Sequence, residues 1–169
     1  LFLAANPQDT DNLKLDEEMR AIDLALRLAR HRDRFDLRSH WALRYSDLSR
    51  LLMDYSPHIV HFSGHGSATG EIAFSDEHGQ SHLVAPDTLA ALFKALRDNI
   101  RCVVLNACYS EQQAKGIAKS VDCVVGMKRA VAGEVAVHFA AEFYQALGFG
   151  RSIATAFELG KIAMGAYVD

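Results

Sequence analysis

Short runs of consecutive apolar residues alternate with helically spaced apolar stripes along the whole chain. Leu1 to Ala5 is the first run, closed by Asn6-Pro7. Leu15, Met19, Ile22, Leu26 and Ala29 then recur at three- and four-residue spacings, which marks one face of a helix. Glu17, Arg20, Asp23, Arg27 and Arg30 fall on its other faces. Alternation from Phe35 to Trp41 predicts a second strand, and Asp47 to Met53 a short helix stopped by Ser56-Pro57. Pro57 to Phe62 predicts a third strand that runs into a loop holding Gly64, Gly66 and Gly70. Glu71 to Phe74 and His82 to Val84 form a hairpin pattern around Gly79. Pro86 opens a helix striped by Leu89, Leu92, Phe93 and Leu96. Cys102 to Leu105 is a continuous apolar strand bounded by Asn106, Ser110 to Lys119 is helical, and Cys123 to Met127 is a further strand. Val135, Phe139, Phe143 and Leu147 stripe a long helix ending at Gly148, and Ile153, Phe157, Gly160 and Met164 a last one.

Continuous apolar strands separated by helices are the mark of a parallel sheet buried on both faces, so the expected class is α/β. No repeat, linker or low-complexity tract interrupts the pattern, so residues 1–169 are expected to form one domain. With 50% hydrophobic and 23% charged residues, the composition excludes intrinsic disorder. No apolar run is long enough to predict a membrane helix. A net charge of −3 argues against binding nucleic acid through the general surface. Cys102, Cys108 and Cys123 make an odd count without scaffold spacing, which predicts free thiols and a reducing, cytoplasmic location. The chain opens on a strand with no charged n-region before it. That pattern predicts no signal peptide and a domain excised from a longer polypeptide.

In parallel α/β sheets, reactive groups gather where strands end. The third strand ends in Ser63-Gly64-His65-Gly66 and the Cys102 strand in Asn106-Ala107-Cys108-Tyr109-Ser110. If those strands are neighbours, His65 and Cys108 overlook one crevice. Cysteine is often a small core hydrophobe, the reading given to Cys102 and Cys123 inside their strands. Cys108 follows a strand and precedes a helix, where backbone N–H groups favour a thiolate, so both a core and a nucleophilic role stand for it. Glycines on either side of His65 suit close backbone approach and an exposed ring, against a bland loop histidine. His58 and His61 point to opposite faces of a strand and cannot join His65 around a metal, so no metal and no other cofactor is expected. The Gly-rich loop lacks the spacing of a dinucleotide or P-loop site. No Gly-x-Ser-x-Gly elbow supplies a serine nucleophile.

The segments LFLAANP, HFSGHG, VVLNACYS and VVGM with FAAEFYQAL resemble the CHAT family, the caspase-like domains found with tetratricopeptide repeats. HFSGHG followed by LNACYS is the specific pair. The resemblance implies a three-layer caspase-like fold, with a mostly parallel central sheet, helices on both faces and a small hairpin after the His65 loop. It implies a His65–Cys108 dyad of an intracellular cysteine endopeptidase, with the backbone N–H groups of Gly66 and Cys108 as the oxyanion hole. It also places Asn106, Arg129 and Glu134 among candidate substrate-binding residues. Relatives often carry an acidic residue where this chain has Gly133, so a preference for basic residues is not implied. The cysteine context Asn-Ala-Cys-Tyr-Ser is not the caspase pentapeptide, so Asp specificity is not implied either.

The expected partners are a protein or peptide substrate and a regulatory sensor or repeat domain in the same chain or complex, within a bacterial signalling or defence system. No nucleic acid bound directly and no membrane are expected. The competing reading is a non-catalytic caspase-like or TIR-like interaction domain, since fold alone does not fix function. Glycines 64, 66 and 70 suggest a mobile His65 loop, and hence a domain of low activity until a partner orders it.

Overall fold

The structure is a computed structural model that describes residues 1–167. Its residues group into two compact units. The first comprises Leu1–Leu13 and Arg38–Ala130, the second Lys14–Leu37 and the chain from Val131 onward.

The first unit holds a five-stranded sheet. Its strands are β1 (Phe2–Ala4), β2 (Ser39–His40), β3 (Ile59–Ser63), β6 (Cys102–Asn106) and β7 (Cys123–Val125), in the spatial order β2-β1-β3-β6-β7. Every pairing in it is parallel. Helices α2 (Tyr45–Tyr55), α3 (Pro86–Ala95) and α4 (Glu111–Ile117) connect these strands. An antiparallel hairpin of β4 (Ile72–Ser75) and β5 (Ser81–Val84) follows the His65 loop, as the pattern around Gly79 predicts.

Strand alternation sorts the side chains. Leu3, Val60, Phe62, Val103 and Leu105 enter a core with Leu48, Leu51 and Leu52 of α2, Leu89 and Phe93 of α3, and Ile117 of α4. Each such side chain contributes about 1.5–3 kcal/mol by leaving water. The alternate set lies on the other face of the sheet, and there Phe2 stacks on His61 with ring centroids 5.3 Å apart. His61 is therefore a packed ring within the sheet, two residues short of the strand end.

Three elements are shorter than their patterns predict. The second strand contracts to Ser39–His40, the two residues that pair with Phe2 and Leu3 of the short β1. β7 stops at Val125, since the Met127 N–H leaves the ladder and donates to Ser110 Oγ at 2.9 Å. Helix α4 begins at Glu111, after Ser110 has turned inward.

The second unit contains α1 (Leu15–Leu28), α5 (Gly133–Gly148) and α6 (Ile153–Gly165). Helix α5 packs against both others. Phe139 stacks with Phe143 at 5.7 Å and meets Phe157 of α6 edge-on at 6.1 Å. Among the described residues no helix is long and apolar enough to cross a membrane.

Candidate active site

β3 and β6 run side by side with Ser63 opposite Asn106. His65 lies two residues beyond Ser63 and Cys108 two beyond Asn106, so the two exits leave the sheet in step. Gly64 N donates to Asn106 O at 3.2 Å and holds the two exits together. Gly66 then lies directly on the Cys108 backbone. A β-carbon at this position would overlap the Cys108 carbonyl oxygen, so only glycine admits this approach.

The loop that carries His65 is tied on both sides. Ser67 N donates to Glu71 O at 2.9 Å, and Ala73 N donates to His65 O at 3.0 Å. The Ser67 and Thr69 hydroxyls also donate to the Glu71 carboxylate, at 3.1 and 2.8 Å. This differs from the mobility suggested by the glycines. Gly64 and Gly66 serve close packing, and only Gly70 has a left-handed backbone, with φ 86°. Gly66 sits between the two backbone bonds, and its own N–H takes part in neither. The Cys108 N–H is likewise outside every backbone hydrogen bond among the described residues.

Cys108 and His65 are both half-buried, so Cys108 is not a core thiol. His65 Nε2 is buried and meets no hydrogen-bond partner. An unpaired buried polar atom of this kind costs about 1–3 kcal/mol. Gln113 Oε1 is the other such atom among the described residues.

The turn after Cys108 is strained and then pinned. Tyr109 has φ 56°, a left-handed conformation uncommon for a residue with a side chain. Ser110, fully buried, follows it. Its Oγ donates to Leu105 O at 3.0 Å and accepts from Met127 N at 2.9 Å. Glu111 N adds a bond to Met127 O at 3.1 Å. One hydroxyl thus joins the end of β6, the Cys108 turn and the exit of β7. The residue pattern marks Ser110 only as a helix start; its position straight after a strand-end turn was the available signal. Gln113 was also missed: it is fully buried and its Nε2 donates to Val84 O at 2.9 Å.

His65, Gly66, Asn106 and Cys108 therefore come together at neighbouring strand ends. Arg129 follows β7 as an exposed residue. Glu134 is exposed in the first turn of α5, within the other compact unit. Among the described residues no cluster of three His, Cys, Asp or Glu side chains could hold a metal.

The CHAT domain family model matches residues 3–165. The chain belongs to the CHAT family. A parallel five-stranded sheet flanked in sequence by six helices accords with the caspase-like architecture the motifs implied. This CHAT domain is 23% identical over 152 residues to a probable protease of Gillisia limnaea, covering 87% of this chain and 26% of that protein. It is 25% identical over 154 residues to a Roc-COR-CHAT protease from an unknown prokaryotic organism, covering 87% of this chain and 14% of that protein. The CHAT domain thus spans only a minor part of either relative. Family and relatives together identify a caspase-like peptidase family.

Proposed function

We propose that this CHAT domain is a cysteine-type endopeptidase with His65 and Cys108 as its dyad. The observation that carries the reading is the Ser63–Asn106 register, which supports it by starting the His65 and Cys108 exits level at the sheet's carboxyl edge. The Cys108 thiolate attacks a peptide carbonyl and forms an acyl-enzyme. His65 protonates the departing amine and then takes a proton from the attacking water. The uncommitted N–H groups of Gly66 and Cys108 are suited to the oxyanion of the tetrahedral intermediate. The orphaned His65 Nε2 supports a ring whose partner arrives with the reaction.

Asn106 at the strand end and Arg129 and Glu134 on exposed segments are proposed to contact substrate. The substrate is a protein or peptide. The printed name of the Roc-COR-CHAT relative supports a multidomain setting, in which a sensor or repeat segment governs the peptidase. A cytoplasmic site and a role in bacterial signalling or defence complete the proposal, supported by free thiols and the reducing compartment they suit.

The test is a peptidyl acyloxymethyl ketone library, read by whole-protein mass spectrometry. One covalent adduct on Cys108, lost in His65→Ala, is the expected result. A folded chain that neither cleaves peptides nor takes an adduct would favour the interaction-domain reading instead.

A further inference from the structure

The peptidase chemistry leaves two thiols unused. They meet at the other end of the same strand that leads to Cys108. Cys102 opens β6 and Cys123 opens β7, and the parallel register sets them directly opposite one another. Neighbouring strands lie about 4.7–4.9 Å apart, inside the roughly 4.4–6.8 Å Cα window of a disulfide. In-register residues point to the same face, so both sulfurs lie on one side of the sheet.

The two thiols are not equivalent. Cys102 is fully buried on an inner strand, whereas Cys123 is half-buried on the edge strand. The sequence reading treats both as core fillers, and the edge position of Cys123 corrects this for one of them. Hydrogen bonding between the paired thiols lowers the Cys123 thiol to about 7 and, with burial, raises Cys102. An accessible thiolate beside a buried resolving thiol is the arrangement of a redox-sensing pair. Arg101 and Asp122 immediately precede the two cysteines, and with Arg97, Asp98, Ile100 and Ser120 they line a cavity of about 360 Å³ at this end of the strands.

We propose that Cys102 and Cys123 form a reversible, peroxide-sensitive disulfide pair. The Cys123 thiolate attacks the O–O bond of hydrogen peroxide; its sulfur is oxidised to sulfenic acid, and the hydroxide that leaves takes up the proton the thiol had given up and becomes water. The Cys102 sulfur then attacks that sulfenic sulfur, and a second water leaves as the disulfide forms. Overall, two thiols lose two hydrogens and one peroxide is reduced to two waters. The closed segment contains α4 and Cys108, so oxidation links the start of the strand before Cys108 to the start of the strand after α4. The proposal does not depend on that thiol being catalytic.

The experiment treats the reduced chain with stoichiometric hydrogen peroxide, blocks remaining thiols with N-ethylmaleimide, and maps peptides by mass spectrometry. The expected product is lighter by two hydrogens before blocking, carries maleimide on Cys108 alone, and yields a linked Cys102–Cys123 peptide that dithiothreitol dissolves. In Cys102→Ala, dimedone should trap a persistent sulfenic acid on Cys123, and the pH midpoint of Cys123 alkylation should rise from about 7. Oxidation at Cys108 with Cys102 and Cys123 both left blockable overturns the proposal. So does a disulfide joining separate chains. Because the wild-type map decides the matter, the proposal stays testable even if Cys102→Ala does not fold.

Discussion

Ser63 and Asn106 face each other across β3 and β6, and each stands two residues before a side chain proposed for chemistry. Their carbonyls divide the work of holding the site. Ser63 O accepts from Ala5 N at 3.1 Å and binds the end of β1, while Asn106 O accepts from Gly64 N at 3.2 Å and binds the His65 loop. Backbone groups thus join three adjacent strand ends, and the Ser110 hydroxyl adds the exit of β7.

The contact of Gly66 with the Cys108 carbonyl gives the sharpest mutational expectation. Gly66→Ala should push the His65 loop off Cys108, lower peptide turnover at least tenfold, and cost about 1–3 kcal/mol through overpacking. Gly133→Ala is the control, because a β-carbon there meets nothing within 4 Å. Steady-state kinetics and urea denaturation of both variants check this. A fully active Gly66→Ala enzyme would separate the loop from the chemistry.

Cysteine substitutions should divide by location. Cys108→Ala is expected to abolish cleavage and leave the urea midpoint almost unchanged, since its thiol is half-buried after the strand. Cys102→Ala should retain cleavage under reducing conditions and lose roughly 1–2 kcal/mol, the usual range for a small loss inside a core. Equal turnover by wild type and Cys108→Ala would refute the proposed nucleophile.

The succession of strands and helices and the two exits proposed for chemistry are legible in the sequence because both rest on local signals. Apolar runs fix β3 and β6, and the residues after them name His65 and Cys108. What stays hidden depends on register, which is non-local. Nothing near Cys123 in sequence reveals that it faces Cys102. The glycines around His65 suggest freedom, yet Gly66 is required by the carbonyl of Cys108, a residue beyond the end of another strand. Ser110 carries no helix-capping bond in α4; its hydroxyl serves β6 and β7 instead.

The β4–β5 hairpin should open in acid. Backbone N–H groups of Gln80 and His78 donate to Asp76 Oδ1, each at 2.8 Å. The Gln80 bond foremost holds its carboxyl below the ordinary value of 3.8; desolvation, next in size, opposes it, and the His78 bond adds a lesser lowering. A depressed folded value means that stability is fully present above 3.8 and is lost as pH falls through the lower folded value. Amide exchange in β4 and β5, taken relative to the intrinsic rate at each pH, should therefore accelerate below about pH 4. Asp76→Asn should remove that acid dependence, and a flat exchange profile in the unmodified chain would count against the turn's role.

Tyr109 separates positioning from folding. Its left-handed backbone costs about 1–2 kcal/mol for a residue with a β-carbon. The buried Ser110 bonds on one side and the Gly66 contact on the other hold the turn in place despite that cost. Tyr109→Gly removes the strain, and the added freedom of the unfolded chain offsets much of that gain. Stability should then stay within about 1 kcal/mol of the parent. Turnover should nevertheless fall several-fold, because Cys108 is no longer fixed by the residue after it. Tyr109→Val places a β-branched side chain where it fits worst, so stability and turnover should fall together. The pattern to look for is a lower kcat with an unchanged unfolding midpoint in the glycine variant alone. If that variant turns over substrate as fast as the parent, the left-handed turn is incidental and the Ser110 bonds suffice to place the thiol.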